Sequence, residues 1–143
     1  TKFRTSAVLI SEELQNSLKL NTLFYTGEEN ELVRDKNIKL FKEDDDYKVL
    51  IATEAGAEGL NLTVAKYVIN FNLPDSAAIY TQRIGRIRRV SSTFNSVYVY
   101  NLLTEESKDI ERWNHIVQNK DLAGALINVD EEQQKALINA MNN

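Results

Sequence analysis

The chain has 143 residues, 43% apolar and 27% charged, with a formal net charge of −4 and no cysteine. These are the proportions of an ordinary globular domain; they exclude disulfide frameworks and cysteine-held zinc, and no run of about eighteen apolar residues is present to span a membrane. An acidic balance also excludes a general coat of positive charge, so any contact with a polyanion must be local.

In chain order, "TKFRTSAVLI" lacks the apolar core and cleavage site of a secretory signal, and a start at Thr1 suggests a piece of something longer. The short apolar run "AVLI" (7–10) reads as a buried strand, with Ser11 capping a helix over "SEELQNSLKL". "TLFY" (22–25) is a second strand, and "EENELVRDKNIKLFKE" (28–43) a helix through Leu32, Val33, Leu40 and Phe41. "DDD" (44–46) reads as a solvated turn rather than a metal site. "YKVLIAT" (47–53) and "KYVINFN" (66–72) are the next strands, the latter ended by "LPD" with the only proline, Pro74. Asp75 or Ser76 is positioned to cap a helix over 76–89. "SVYVYNLL" (96–103) is the fifth strand, and from Glu105 the pattern is helical to the end. Trp113, Ile116 and Val117 are expected to bury that tail helix, with His115 at the surface or in packing.

Strand–helix alternation of this kind implies an α/β fold, a parallel sheet covered on both faces. The expected organisation is a lobe over 1–104 and a helical tail over 105–143. In such sheets ligands bind beyond the carboxyl ends of the strands, and two unusual segments lie there. "IYTQRIGRIRRV" (79–90) packs four arginines into seven positions of an acidic chain. On a continuous helix, Tyr80, Ile84 and Ile87 share one face, while Gln82, Arg86 and Arg89 share the other, with Gly85 beside them leaving room for a close neighbour. Acidic partners at i±4 are missing, and such crowding of like charge is tolerable where a polyanion is the partner. "ATEAGAEGLNLT" (52–63) follows the strongest strand and holds Gly56 and Gly59, two of only five glycines, with Thr53, Glu54, Glu58 and Asn61 as its polar groups. It lacks the lysine of a phosphate loop. No GxxxxGK[ST] and no DExx box after an apolar strand occurs anywhere in the chain.

"QRIGRIRR" matches the QxxGRxxR motif of superfamily-two helicases and translocases, and "ATEAGAEGLNLT" resembles the preceding motif of their Swi/Snf-like branch. "VLIS", "YTG" at 25–27 and "VYVYNLLTEESKDIERW" resemble flanking elements in the right order, so the likeness covers about residues 5–125. It implies a RecA-like C-terminal lobe of a two-lobed motor, with ATP and Mg2+ held mainly by a separate N-terminal RecA-like lobe. By motif position, Arg86 and Arg89 resemble arginine fingers, and Gln82 a phosphate or inter-lobe contact. Gly59, Asn61 and Gly85 resemble nucleotide-side groups, and Thr53 and Gly56 nucleic-acid contacts. Arg88 reads as solvated, and Arg83 is left open. The implied partner is double-stranded DNA rather than a membrane. "RRVSST" in place of the usual "RIGQ" continuation, and the absence of large insertions, fit a minimal prokaryotic or viral translocase in the cytoplasm, with a nuclear protein as the other setting. A strand-separating DNA or RNA helicase and a stand-alone nucleic-acid-binding or regulatory module are the competing expectations.

Overall fold

The computed structural model describes residues 1, 3–54, 59–89 and 91–118. The chain divides into two compact units, Thr1–Val64 and Ala65–Asn143. Each is built on a pair of parallel strands.

In the first unit, α1 (Arg4–Leu18) packs on β1 (Asn21–Tyr25), which pairs with β2 (Tyr47–Ala52) after the crossover helix α2 (Glu31–Glu43). The strand expected at 7–10 is instead the second turn of α1, and Ser11 lies inside that helix, not at its cap. Four consecutive apolar residues fit either element. Here the flanks decide, because no turn residue separates Ile10 from a stretch rich in helix formers. Ala7 is fully buried at the α1 contact. The helix stops at Lys19, which adopts the left-handed conformation (φ 56°), and the amides of Lys19 and Leu20 both return to the Leu14 carbonyl. α2 starts at Glu31, three residues later than the sequence suggests, because the Asn30 side chain accepts the Val33 amide at 3.0 Å. Leu32, expected on its buried side, is exposed. Leu23, Ile51 and Leu60 join Ala7 in the core. Asn37 Nδ2 donates to the Phe24 carbonyl at 2.8 Å, tying α2 to β1.

In the second unit, β3 (Tyr67–Asn70) and β4 (Tyr98–Asn101) run parallel and in register, Asn70 opposite Asn101. Between them lies α3 (Ala77–Gly85), capped by the Ser76 hydroxyl, which accepts the Ile79 amide at 3.3 Å. α4 (Lys108–Val117) follows, capped by Ser107. One core joins Leu73, Ala77, Tyr80 and Ile84 to Ile116 of α4, with Val99, Leu103 and Trp113 packed around them. The Tyr80 and Trp113 rings meet edge to face at 5.7 Å. Trp113 and Ile116 therefore bury the tail helix and His115 lies at the surface, as expected, whereas Val117, expected to be buried, is exposed. The sheet face bearing Tyr67, Ile69, Tyr98 and Tyr100 is exposed among the described residues. The continuation of the expected tail, from residue 119, lies outside the described residues.

Candidate functional site

The arginine segment differs from the continuous helix that its spacing suggests. α3 ends at Gly85, and Arg86 is its C-cap. The last turn tightens, with Arg86 N–H donating to the Arg83 carbonyl (3.3 Å) and Ile87 N–H to that of Ile84 (3.1 Å). Ser92 then closes the following turn. Its hydroxyl accepts the Arg89 amide at 2.9 Å and donates to the Ile87 carbonyl, and its amide donates to the Arg89 carbonyl. Glycine is a poor helix residue, and three arginines beyond it repel, so a competing hydroxyl is enough to end the helix. Gln82, Arg86 and Arg89 thus occupy the helix, its cap and the next turn. The inward side holds as expected: Tyr80, Ile84 and Ile87 are all buried. Outside, Gln82, Gly85, Arg88 and Arg89 are exposed and Arg86 is half-buried. Arg89 Nε donates back to the Gly85 carbonyl at 3.3 Å, which keeps its guanidinium over the helix end. A Cβ on Gly85 would meet nothing within 4 Å, so the space beside it is open in this chain.

Behind this segment lies a polar cluster that the sequence reading did not identify. Arg83 Nη1 donates to Asn70 Oδ1 (3.2 Å) and to the Asn72 carbonyl (2.8 Å). Asn70 Nδ2 donates to Asn101 Oδ1 (2.9 Å), and Asn101 Nδ2 to the Tyr80 hydroxyl (2.9 Å). Burial pushes the Tyr80 phenol up, partly offset by the Asn101 hydrogen bond and the Arg83 charge. A signal was present: "YVIN" and "YVYN" each end in asparagine at the same register of two parallel strands.

In the first unit, the loop after β2 holds the other motif. Thr53 is buried, and its amide donates to the Tyr25 carbonyl at 3.2 Å. Gly59 has φ +75°, a conformation that favours glycine, and it is followed by the buried anchor Leu60 and the exposed Asn61. Gly56 lies outside the described residues. At the end of β1, the "YTG" segment forms a clamp. The amide and hydroxyl of Thr26 donate to Glu29 Oε2 at 2.6 and 2.7 Å, and Arg4 reaches Glu29 from α1 at 3.3 Å and Glu28 at 3.1 Å. Burial alone would raise the Glu29 carboxyl, but the Thr26 hydrogen bonds and the Arg4 charge outweigh it and hold it below the ordinary glutamate range.

The donor set on residues 76–92 suits phosphate oxygens: it contains arginines, a glutamine and hydroxyls, and no carboxylate that would hold a metal. The helicase conserved C-terminal domain matches residues 1–91. The chain belongs to this helicase C-terminal family. Among relatives of this helicase lobe, an uncharacterized ATP-dependent helicase of Bacillus subtilis, YqhH, is 45% identical over 60 residues, 42% of this chain. The probable ATP-dependent RNA helicase ddx42 of Dictyostelium discoideum is 29% identical over 127 residues, 87% of this chain. The lobe spans only 11% and 12% of the lengths of these two curated relatives. The crystal structure of the C-terminal part of the Fun30 ATPase domain superposes with a TM-score of 0.69 at 28% identity, over 81% of this chain and 37% of that one. The RecA-like helicase C-terminal fold is therefore established for this lobe.

Proposed function

We propose that the chain is the C-terminal motor lobe of an ATP-dependent translocase acting on double-stranded DNA. The observation that carries this reading is the cationic turn at the end of α3, where half-buried Arg86 and exposed Arg89 follow one another on a segment without a carboxylate. When bound, ATP with magnesium supplies the phosphoryl transfer that drives movement. Magnesium and the phosphate cradle would belong to an N-terminal RecA-like lobe, since the sequence offers no GxxxxGK[ST] and no DExx box after an expected apolar strand. Arg86 and Arg89 would donate to phosphate oxygens as arginine fingers, with Gln82 as an adjoining amide. Gly59 and Asn61 would face the nucleotide side of the coupling loop. Thr53 and Gly56 would carry the nucleic-acid contact, with Thr53 acting mainly through the loop that its buried position anchors. The "EGLNL" sequence, which resembles the Swi/Snf-like motif, favours duplex DNA. A second reading, a strand-separating RNA helicase, is favoured by the likeness to ddx42 over most of the chain.

ATP turnover of the full-length protein, with and without duplex DNA or single-stranded RNA, tests the choice. Stimulation by duplex DNA is expected; stimulation by RNA alone selects the second reading. The chain by itself is expected to turn over no ATP, and turnover by the purified chain would overturn the two-lobed assignment.

A further inference from the structure

We infer that Arg83 is a positioning residue for the arginine turn, acting with Asn70, Asn101 and Tyr80 as one lock between α3 and the carboxyl ends of β3 and β4. The inference rests on the reading of Arg86 and Arg89 as fingers and adds the device that aims them.

α3 has only nine residues, and apolar packing alone is non-directional, so a short helix held only by its core side has freedom to slide or roll slightly. The polar cluster removes that freedom. Tyr80 and Arg83 stand one turn apart on the same side of α3. Through Tyr80 the helix is bonded to Asn101 at the end of β4, and through Arg83 to Asn70 and the Asn72 carbonyl at the end of β3. The Asn70–Asn101 bond closes the circuit across the two strands. Asn70 and Tyr80 are 4% and 1% exposed, so at these two side chains the bonds are largely shielded from water. Both pins lie on the helix just before the cap, and the Arg83 carbonyl itself accepts the Arg86 amide. The first finger therefore begins one hydrogen bond from the lock, and Arg89 is tied to the same helix end through Gly85. A catalytic group displaced by about 1 Å loses on the order of a hundredfold in rate, so small freedom at this point has a large consequence. Arg83 makes its own bonds inward, to the strand ends, while Arg88 and Arg89 are exposed and Arg86 is half-buried. The four arginines of the segment thus divide their roles.

The test uses the full-length, two-lobed protein at saturating nucleic acid. Arg83→Ala, Arg83→Lys, Asn101→Ala and Tyr80→Phe are made alone and in an Arg86→Ala, Arg89→Ala double background, with kcat, KM for ATP and melting measured for each. Alone, Arg83→Ala and Asn101→Ala are expected to lower kcat about ten- to hundredfold while KM changes less than about twofold. Arg83→Lys is expected to recover part of the loss, since an ammonium reaches one acceptor but not both. In the background that lacks both Arg86 and Arg89 the same substitutions are expected to cost almost nothing more, because there is no finger left to aim. A merely structural role lowers the active fraction equally in both backgrounds, so losses that multiply overturn the inference, as do single variants with unchanged kcat. Tyr80→Phe keeps the buried ring and removes only the hydroxyl, so it carries the same test if Arg83→Ala does not fold. An Arg89→Ala variant with full turnover overturns the finger reading itself, an outcome distinct from failure of the lock.

Discussion

The two parallel strand pairs end alike and differently. Each carboxyl end is closed by a polar cluster into which a helix sends one arginine: Arg4 from α1 at the end of β1, Arg83 from α3 at the ends of β3 and β4. In the first unit the guanidinium meets carboxylates, Glu28 and Glu29. In the second, Arg83 Nη1 meets a neutral amide and a carbonyl. A carboxylate clamp titrates in acid; an amide network does not. The difference puts the titrating carboxylate on the first strand pair, whereas segment 76–92 carries no carboxylate in its own sequence.

The sharpest way to break this comparison is to remove Arg86 or Arg89. In the two-lobed protein, Arg86→Ala or Arg89→Ala is expected to reduce kcat for ATP by about 10³- to 10⁵-fold, because a guanidinium on the transferring phosphoryl group stabilises charge that spreads over its oxygens. Nucleic-acid affinity is expected to stay nearly constant. Melting is also expected to hold, since the apolar side of the segment, Tyr80, Ile84 and Ile87, is untouched. Arg88→Ala, exposed on the same turn, is the control and should lose little. If Arg88 matters as much as Arg89, or if none of the three matters, the second strand end is structural like the first.

Sequence patterns were most readable where burial and turn chemistry agreed. Four of the five expected strands are absent from dispute at their centres: 22–25, 47–52, 67–70 and 98–101 all form. Ser76 caps α3 as one of two residues proposed. The remaining one, "AVLI", failed because a four-residue apolar run carries no period, and tertiary burial of Ala7 alone does not distinguish helix from strand. The wheel that opposed Tyr80, Ile84 and Ile87 to the arginines was right about the buried side. It was wrong about helix length, because nothing in the spacing reveals that Ser92 will bond back to Ile87 and Arg89. The lock of Asn70, Asn101, Tyr80 and Arg83 was the hardest to see. Its members are spread over 31 positions from Asn70 to Asn101, and their meeting depends on strand register rather than on any local motif.

A smaller effect sharpens the contrast on the loop after β2. Gly59→Ala meets no atom within 4 Å, so crowding is absent and only the strain of φ +75° remains. The expected loss is about 1 kcal/mol, read as a shift of the urea midpoint at constant slope. A loss several times larger would mean that the open space is filled in the working protein.

The smallest expected effect addresses the titrating end directly. Glu29 is held below the ordinary glutamate range when folded. Its contribution to stability is therefore fully present above the unfolded value of about 4.3 and fades as pH falls through the lower folded value. The Glu29 side chain is 12% exposed but its partner Arg4 is 31% exposed, and solvent screening discounts the pair to less than about 1 kcal/mol. Glu29→Gln keeps a hydrogen-bond acceptor for Thr26 and removes the charge. The variant is expected to melt slightly lower than the parent at neutral pH and to converge with it as pH drops below about 4. The same titration on Asn101→Ala should show a pH-independent offset over that range, because no member of the Arg83 network changes charge there. Parallel acid profiles for Glu29→Gln and the parent would place the carboxylate clamp outside the folding equilibrium. A pH-dependent offset for Asn101→Ala would show that an acid couples to the arginine turn, and the contrast between the two strand ends would fail.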